Sequence, residues 1–126
     1  MIYRLRKSFR FEASHILKDH DGKCSNLHGH SWTGYIEVSG KTLQKDGPKR
    51  NMLFDYNDLK PITKWVEDSF DHQHLNSALD SEMPTSEFVA NVIWKWASKA
   101  LEFKKVKLTR VVIHETCNTE CILEDR

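Results

Sequence analysis

The stretch His28-Gly29-His30-Ser31-Trp32-Thr33-Gly34-Tyr35-Ile36-Glu37-Val38 decides how this chain is read. In an extended chain, His28, His30, Trp32, Gly34, Ile36 and Val38 share one face, while Ser31, Thr33, Tyr35 and Glu37 oppose them. Period two is the mark of a half-buried strand, and this one ends near Gly40. Upstream lies the polar loop Lys18-Asp19-His20-Asp21-Gly22-Lys23. Before it, residues 3–15 form a second alternating segment, with Phe9, Phe11, Ala13 and His15 on one face and Arg10, Glu12 and Ser14 on the other. If the two strands pair antiparallel across the loop, the end of one lies beside the start of the other. His15 then meets His28 and His30 on the apolar face.

Three neutral imidazoles with no obligatory fourth ligand form the open, catalytic kind of zinc site. Imidazole also suits copper, iron or nickel, so zinc is a preference. The competing reading is three satisfied core histidines, and three of them at one strand end favour the metal. Cys24, four residues before His28, has three readings: a fourth ligand closing a structural site, a nearby thiolate acting as a base, or an ordinary loop thiol.

Downstream, a polar connection runs through Gly47-Pro48, and Met52 to Phe54 read as a short strand or an extended approach to a helix. That helix starts near Asp55 to Asp58 and runs to about Ser69, with Leu59, Ile62, Trp65, Val66 and Phe70 as its apolar stripe. Pro61 is tolerated in a first turn, whose amides have no intrahelical acceptor. A second helix opens at Pro84-Thr85-Ser86-Glu87, where Thr85 suits the cap and Glu87 the positive end of the dipole. Its stripe is Phe88, Val89, Val92, Ile93, Trp96, Ala97 and Ala100. A last strand covers about Val106 to Glu115, with Leu108 and Val112 expected on one face and Val111 and Ile113 on the other. The order of strands and helices is α+β, and one domain spans residues 1–126.

Composition narrows the function classes. A formal net charge of +1, without a basic stripe, argues against nucleic-acid binding. No stretch reaches the roughly 20 apolar residues of a membrane span. No apolar leader follows Met1-Ile2-Tyr3-Arg4, so the expectation is an unprocessed, cytoplasmic chain. Three cysteines do not make a disulfide framework, and Cys117 and Cys121 read as small hydrophobic filling. Trp65, Trp94 and Trp96 read as core or subunit contact. Asp71-His72 is a candidate proton relay or simply part of a surface loop. Glu115 is a candidate acceptor for an amidine-like edge or a solvated strand-end charge.

Taken together, these segments resemble the 6-pyruvoyltetrahydropterin synthase family, and most closely its bacterial 6-carboxytetrahydropterin synthases of queuosine biosynthesis. Phe11-Glu12-Ala13-Ser14-His15 is similar to the family's first metal-ligand segment, and Cys24-Ser25-Asn26-Leu27-His28-Gly29-His30 to its cysteine and paired-histidine motif. Phe54-Asp55-Tyr56-Asn57-Asp58-Leu59, Asp71-His72 with Leu75-Asn76, Pro84-Thr85-Ser86-Glu87 and Glu115-Thr116-Cys117 complete the series. Gln73-His74 departs from the family's His-Tyr after the dyad.

The resemblance implies a tunnelling fold, a four-stranded antiparallel sheet backed by two helices, with protomers joined into a barrel, usually a hexamer built of two trimers. It implies zinc on His15, His28 and His30, Cys24 as proton acceptor with Asp71 and His72 as its relay, and Glu115 as pterin anchor and a further catalytic candidate sharing in that relay. Thr85, Ser86 and Glu87 are further substrate-binding candidates. The implied substrate is 7,8-dihydroneopterin triphosphate, and the implied products are 6-carboxytetrahydropterin, acetaldehyde and triphosphate. The short spacing from Cys24 to the paired histidines favours this carboxy product over the pyruvoyl one. A rival of another class is a small non-catalytic module stabilised by zinc.

Overall fold

The computed structural model describes residues 1–126 and has the expected α+β architecture. Strands β1 (Tyr3–His15) and β2 (His28–Gly40) form a long antiparallel hairpin, paired from Tyr3↔Gly40 to His15↔His28. After it come helix α1 (Lys60–Phe70), the two-residue strand β3 (Gln73–His74), the single turn α2 (Leu75–Ala78), helix α3 (Ser86–Ala100), and strands β4 (Lys107–His114) and β5 (Cys121–Glu124). The sheet order is β3-β1-β2-β4-β5. Its four longer strands are antiparallel neighbours, and β3 adds a short parallel bridge at the β1 edge.

The alternation expected in the hairpin decides which face is covered. Phe9, Phe11, Trp32, Ile36 and Val38 are buried against α1 and α3, which contribute Ile62, Val66 and Phe70 and Val89, Ala90, Ile93 and Ala97. Burying a side chain of this size stabilises the fold by about 1.5–3 kcal/mol. Trp65 stacks on Trp96 with ring centroids 4.7 Å apart, joining the two helices at the outer rim of the core. Phe88 instead faces outward. The approach to α1 is a 3-10 turn, Tyr56–Asp58, capped by Asp55 Oδ1, which accepts from the Asn57 amide at 2.9 Å. Met52 to Phe54 form no strand.

One expectation about β4 is corrected. The ladder to β2 pairs Glu37 with Arg110 but Val38 with Leu108, so Thr109 is an extra residue and the strand bulges there. A bulge exchanges the faces on its two sides. Leu108 therefore shares the core face with Val111 and Ile113, and Val112 points the other way. On that second face lies the fully buried Glu37 carboxylate, bonded by Arg6 Nε at 2.9 Å and Thr109 Oγ1 at 2.8 Å. Gly34, on the core face of β2, is required for close approach: a Cβ would stand 2.1 Å from the Val112 carbonyl oxygen and 2.9 Å from the Phe9 ring.

Candidate metal centre

The hairpin register puts His15 directly opposite His28, and His30 opposite Ala13, all on the covered face. The ring centroids lie 4.4 Å apart for His15–His28, 4.9 Å for His28–His30 and 5.3 Å for His15–His30. Trp32 forms the floor, edge-on to His15 and His30, and its indole N–H donates to the Ala13 carbonyl at 3.2 Å.

Two of the rings have their tautomer set by the backbone. His15 Nδ1 lies 2.9 Å from the Pro84 carbonyl oxygen, and His28 Nδ1 lies 2.7 Å from that of Asn26. A carbonyl only accepts, so each Nδ1 carries the proton and each Nε2 is left with a bare lone pair. Both Nε2 atoms are buried without a hydrogen-bond partner. A buried acceptor facing nothing is costly, and a cation removes the cost. The donor set therefore fits a divalent metal, with zinc the usual ion for imidazole ligands.

A fourth group joins them. Glu115, the first residue beyond β4, places Oε1 3.0 Å from His15 Nε2 and 3.5 Å from His30 Nε2. With the His15 proton on Nδ1, neither atom carries a hydrogen toward the other, so two acceptors face each other and a cation between them would satisfy both. One ligand atom from each of His15, His28, His30 and Glu115 falls within 4.8 Å of the others. Burial lowers the basicity of His30 and so favours the neutral ring, the form that ligates.

The remaining candidates lie around this cluster. Cys24 sits in a 3-10 turn, Lys23–Ser25, pinned by the Leu17 amide donating to its carbonyl at 2.8 Å. It is half-buried and is not one of the four clustered donors. Asp71 and His72 dock on the β1 edge: Asp71 Oδ1 accepts from the Glu12 amide at 2.9 Å, and the His72 amide donates to the Glu12 carbonyl at 2.7 Å. The His72 backbone is left-handed, with φ 58°, and its ring is turned outward, 3.6 Å from Asp71 Oδ2. Thr85 caps α3, its Oγ1 accepting from the Phe88 amide at 3.1 Å, and Ser86 Oγ donates to Glu87 Oε1 at 2.8 Å.

Two open clefts adjoin the cluster, and His30 lines both. One, of about 590 Å³, is bordered by Glu12, Ser14, Ser31, His72 and His74. The other, of about 580 Å³, is bordered by Thr33, His114, Glu115 and Cys117. Each is in the size range of small-molecule sites.

Sequence reasoning missed two supports. Asn76 grips the residue after His15 from both sides, Oδ1 accepting from the Ile16 amide and Nδ2 donating to the Ile16 carbonyl, each at 2.8 Å. The Pro84 carbonyl, which holds His15, belongs to the backbone and has no signature of its own in the sequence.

The same fold and many of the same residues occur in known proteins. The chain is 39% identical over 115 residues to the 6-carboxy-5,6,7,8-tetrahydropterin synthase of Synechocystis, covering 90% of this chain and 86% of that one. It is 30% identical to the Bacillus subtilis protein of the same name, covering 95% and 84%. The solved structure of Caenorhabditis elegans 6-pyruvoyl tetrahydropterin synthase superposes with a TM-score of 0.82 at 26% identity, over 100% of this chain and 97% of that one. With residues 4–126 matching the family described as 6-pyruvoyl tetrahydropterin synthase, the chain belongs to that family.

Proposed function

We propose that this protein is a zinc-dependent lyase that converts 7,8-dihydroneopterin triphosphate to 6-carboxy-5,6,7,8-tetrahydropterin, releasing acetaldehyde and triphosphate, in the biosynthesis of queuosine or another 7-deazaguanine. The observation that carries the reading is the convergence of three imidazoles, two of which, His15 and His28, have an outer nitrogen anchored on a backbone carbonyl and an inner nitrogen without a partner. The relatives named as 6-carboxytetrahydropterin synthases favour the carboxy product over the pyruvoyl one.

An ion held by His15, His28 and His30 supplies Lewis acidity toward the substrate's side-chain hydroxyls. Glu115 accepts two N–H bonds from the 2-amino and N3 edge of the pterin and so fixes its orientation. The Cys24 thiolate takes the proton from the side-chain carbon beside the ring. Asp71 and His72 carry that proton onward, and His72 borders the same cleft as His30. Thr85, Ser86 and Glu87, which follow directly on the Pro84 whose carbonyl holds His15, are further substrate contacts in this reading. Protomers assemble into a homohexamer of two trimers, in which β5 and the part of β1 that the short β3 leaves uncovered find strand partners.

Incubation with 7,8-dihydroneopterin triphosphate and mass analysis of the product tests the reading. The expected product is the 6-carboxy compound; a pyruvoyl product moves the assignment within the family, and no turnover sinks it. Cys24→Ala is expected to keep the metal and the fold while losing turnover. Loss of metal in that variant would instead mark a closed structural site.

A further inference from the structure

We infer that Gly29 is a specificity-determining residue: its missing side chain joins the two clefts beside His30 into one trough, which an elongated polar substrate crosses. The inference rests on the pterin reading above and adds to it the feature that decides which molecules are admitted.

The fold itself does not ask for glycine at this position. Strand β2 holds three glycines, and two of them have a packing reason. A Cβ on Gly34 would meet the Val112 carbonyl oxygen at 2.1 Å, and one on Gly40 would meet Leu53 Cδ1 at 2.6 Å. On Gly29 the nearest atom to such a Cβ is the Ala13 carbonyl oxygen at 3.6 Å, an ordinary contact. The backbone gives no reason either, since Gly47 is the one glycine with a positive φ. Another residue would suit the strand better, because glycine loses the most backbone freedom on folding. A strand glycine that neither packing nor backbone requires marks a place where something else comes close.

The surroundings say what comes close. Gly29 faces away from His28 and His30, onto the side of the sheet that α1 and α3 do not cover. Its partner across the ladder is Ser14. The two clefts, of about 590 and 580 Å³, share Gly29, His30 and Ser31 as lining. From there one extends toward β3, past Ser14 and His74, and the other toward the end of β4, past Thr33 and Thr116. The side chains that could have filled the middle are tied elsewhere. Ser31 Oγ donates to Glu12 Oε2 at 2.6 Å, and Thr33 Oγ1 lies 3.2 Å from His114 Nδ1. Gly29 is thus the saddle between the clefts, and a side chain on it would narrow or divide the passage. Hydroxyls and imidazoles dominate the lining, which suits a polar small molecule; the centre of a contact between proteins is apolar and aromatic instead. A ring joined through a hydroxylated chain to a triphosphate is elongated. A trough that runs past His30 lets one part of it reach the ion while the rest extends away.

Gly29→Ala and Gly29→Val in the full-length protein test this. Both are expected to keep the melting temperature, zinc affinity and oligomeric state of the parent. The probe is 7,8-dihydroneopterin triphosphate, bound to the zinc-loaded Cys24→Ala protein so that turnover does not intervene. Adding Gly29→Ala is expected to weaken its binding about tenfold, and Gly29→Val about a hundredfold. In the chain that retains Cys24, both changes are expected to raise KM by more than they lower kcat, the mark of lost substrate binding. Unchanged probe affinity in both variants overturns the inference and leaves the pterin reading intact. Loss of zinc, of assembly or of stability in Gly29→Ala also overturns it, by making the glycine a demand of the fold or of a neighbouring copy. A Cys24→Ala protein that retains Gly29 yet does not bind the probe removes the pterin reading and the inference together.

Discussion

His15 and His28 face each other across one rung of the hairpin, yet their surroundings differ, and this separates two contributions that a single substitution usually confounds. His15 is fully buried, against Trp32 and under the Pro84 carbonyl, whereas His28 is only partly covered. Either histidine replaced by Ala is expected to abolish tight zinc binding. In the metal-free protein only His15→Ala is expected to lose appreciable stability, about 2–3 kcal/mol, because it leaves a hole and an unpaired carbonyl. Zinc titration with a chromogenic competitor, alongside urea unfolding in EDTA, reads the two effects separately; equal apo stabilities would refute the distinction. Asn76 acts one residue further out. Asn76→Ala strands the Ile16 amide and carbonyl beside the ligand, and zinc affinity is expected to fall about tenfold. An unchanged affinity in that titration would reduce the Asn76 contacts to a local fastening.

Among the elements, the approach to α1 is the one whose hold depends on acid. The Asn57 amide bonds the Asp55 carboxylate, Lys49 sits beside it at 3.4 Å, and both keep its pKa below the ordinary value. A carboxyl depressed in the folded state stabilises the fold above its unfolded pKa of about 3.9. That contribution is lost as pH falls through the lower folded value. Asp55→Asn is therefore expected to be less stable than wild type at pH 6–7 and to converge with it at the acid end, as measured by thermal melts over pH 2–7. A gap that persists at the lowest pH would assign the effect to shape rather than charge. The elements also differ in how far the sequence announces them. β1, β2, α1 and α3 are long enough for a period to repeat, and their buried residues follow it. β3 and β5 span two and four residues, too few for any period, and the bulge at Thr109 resets the alternation of β4 in a way that no residue type signals. The three histidines were legible because they ride on the two most regular strands. Glu115 as a neighbour of His15 was not, since that contact exists only because β4 lies beside β2, some 80 residues away along the chain.

At the scale of the whole molecule, binding of the proposed ion and folding are one equilibrium, because its histidine ligands come from two strands that only the paired hairpin brings together. Zinc at about a hundred times its dissociation constant is expected to add about 2.7 kcal/mol, which for a chain of this length raises the melting temperature by roughly 10 °C. Calorimetry with and without EDTA checks this, and a melting temperature indifferent to zinc would remove the ion from the fold. The hairpin ladder carries a further consequence for how such a chain can change over generations. Its rungs run unbroken from Tyr3 to His15 and from His28 to Gly40. Losing one residue inside either strand would turn every later side chain to the opposite side and scatter the histidines. Losing or gaining residues between Ile16 and Leu27 would leave the frame untouched. That connector is thus where descendants of this sequence are free to vary in length, reshaping the mouth of the site while the histidine cluster is inherited whole.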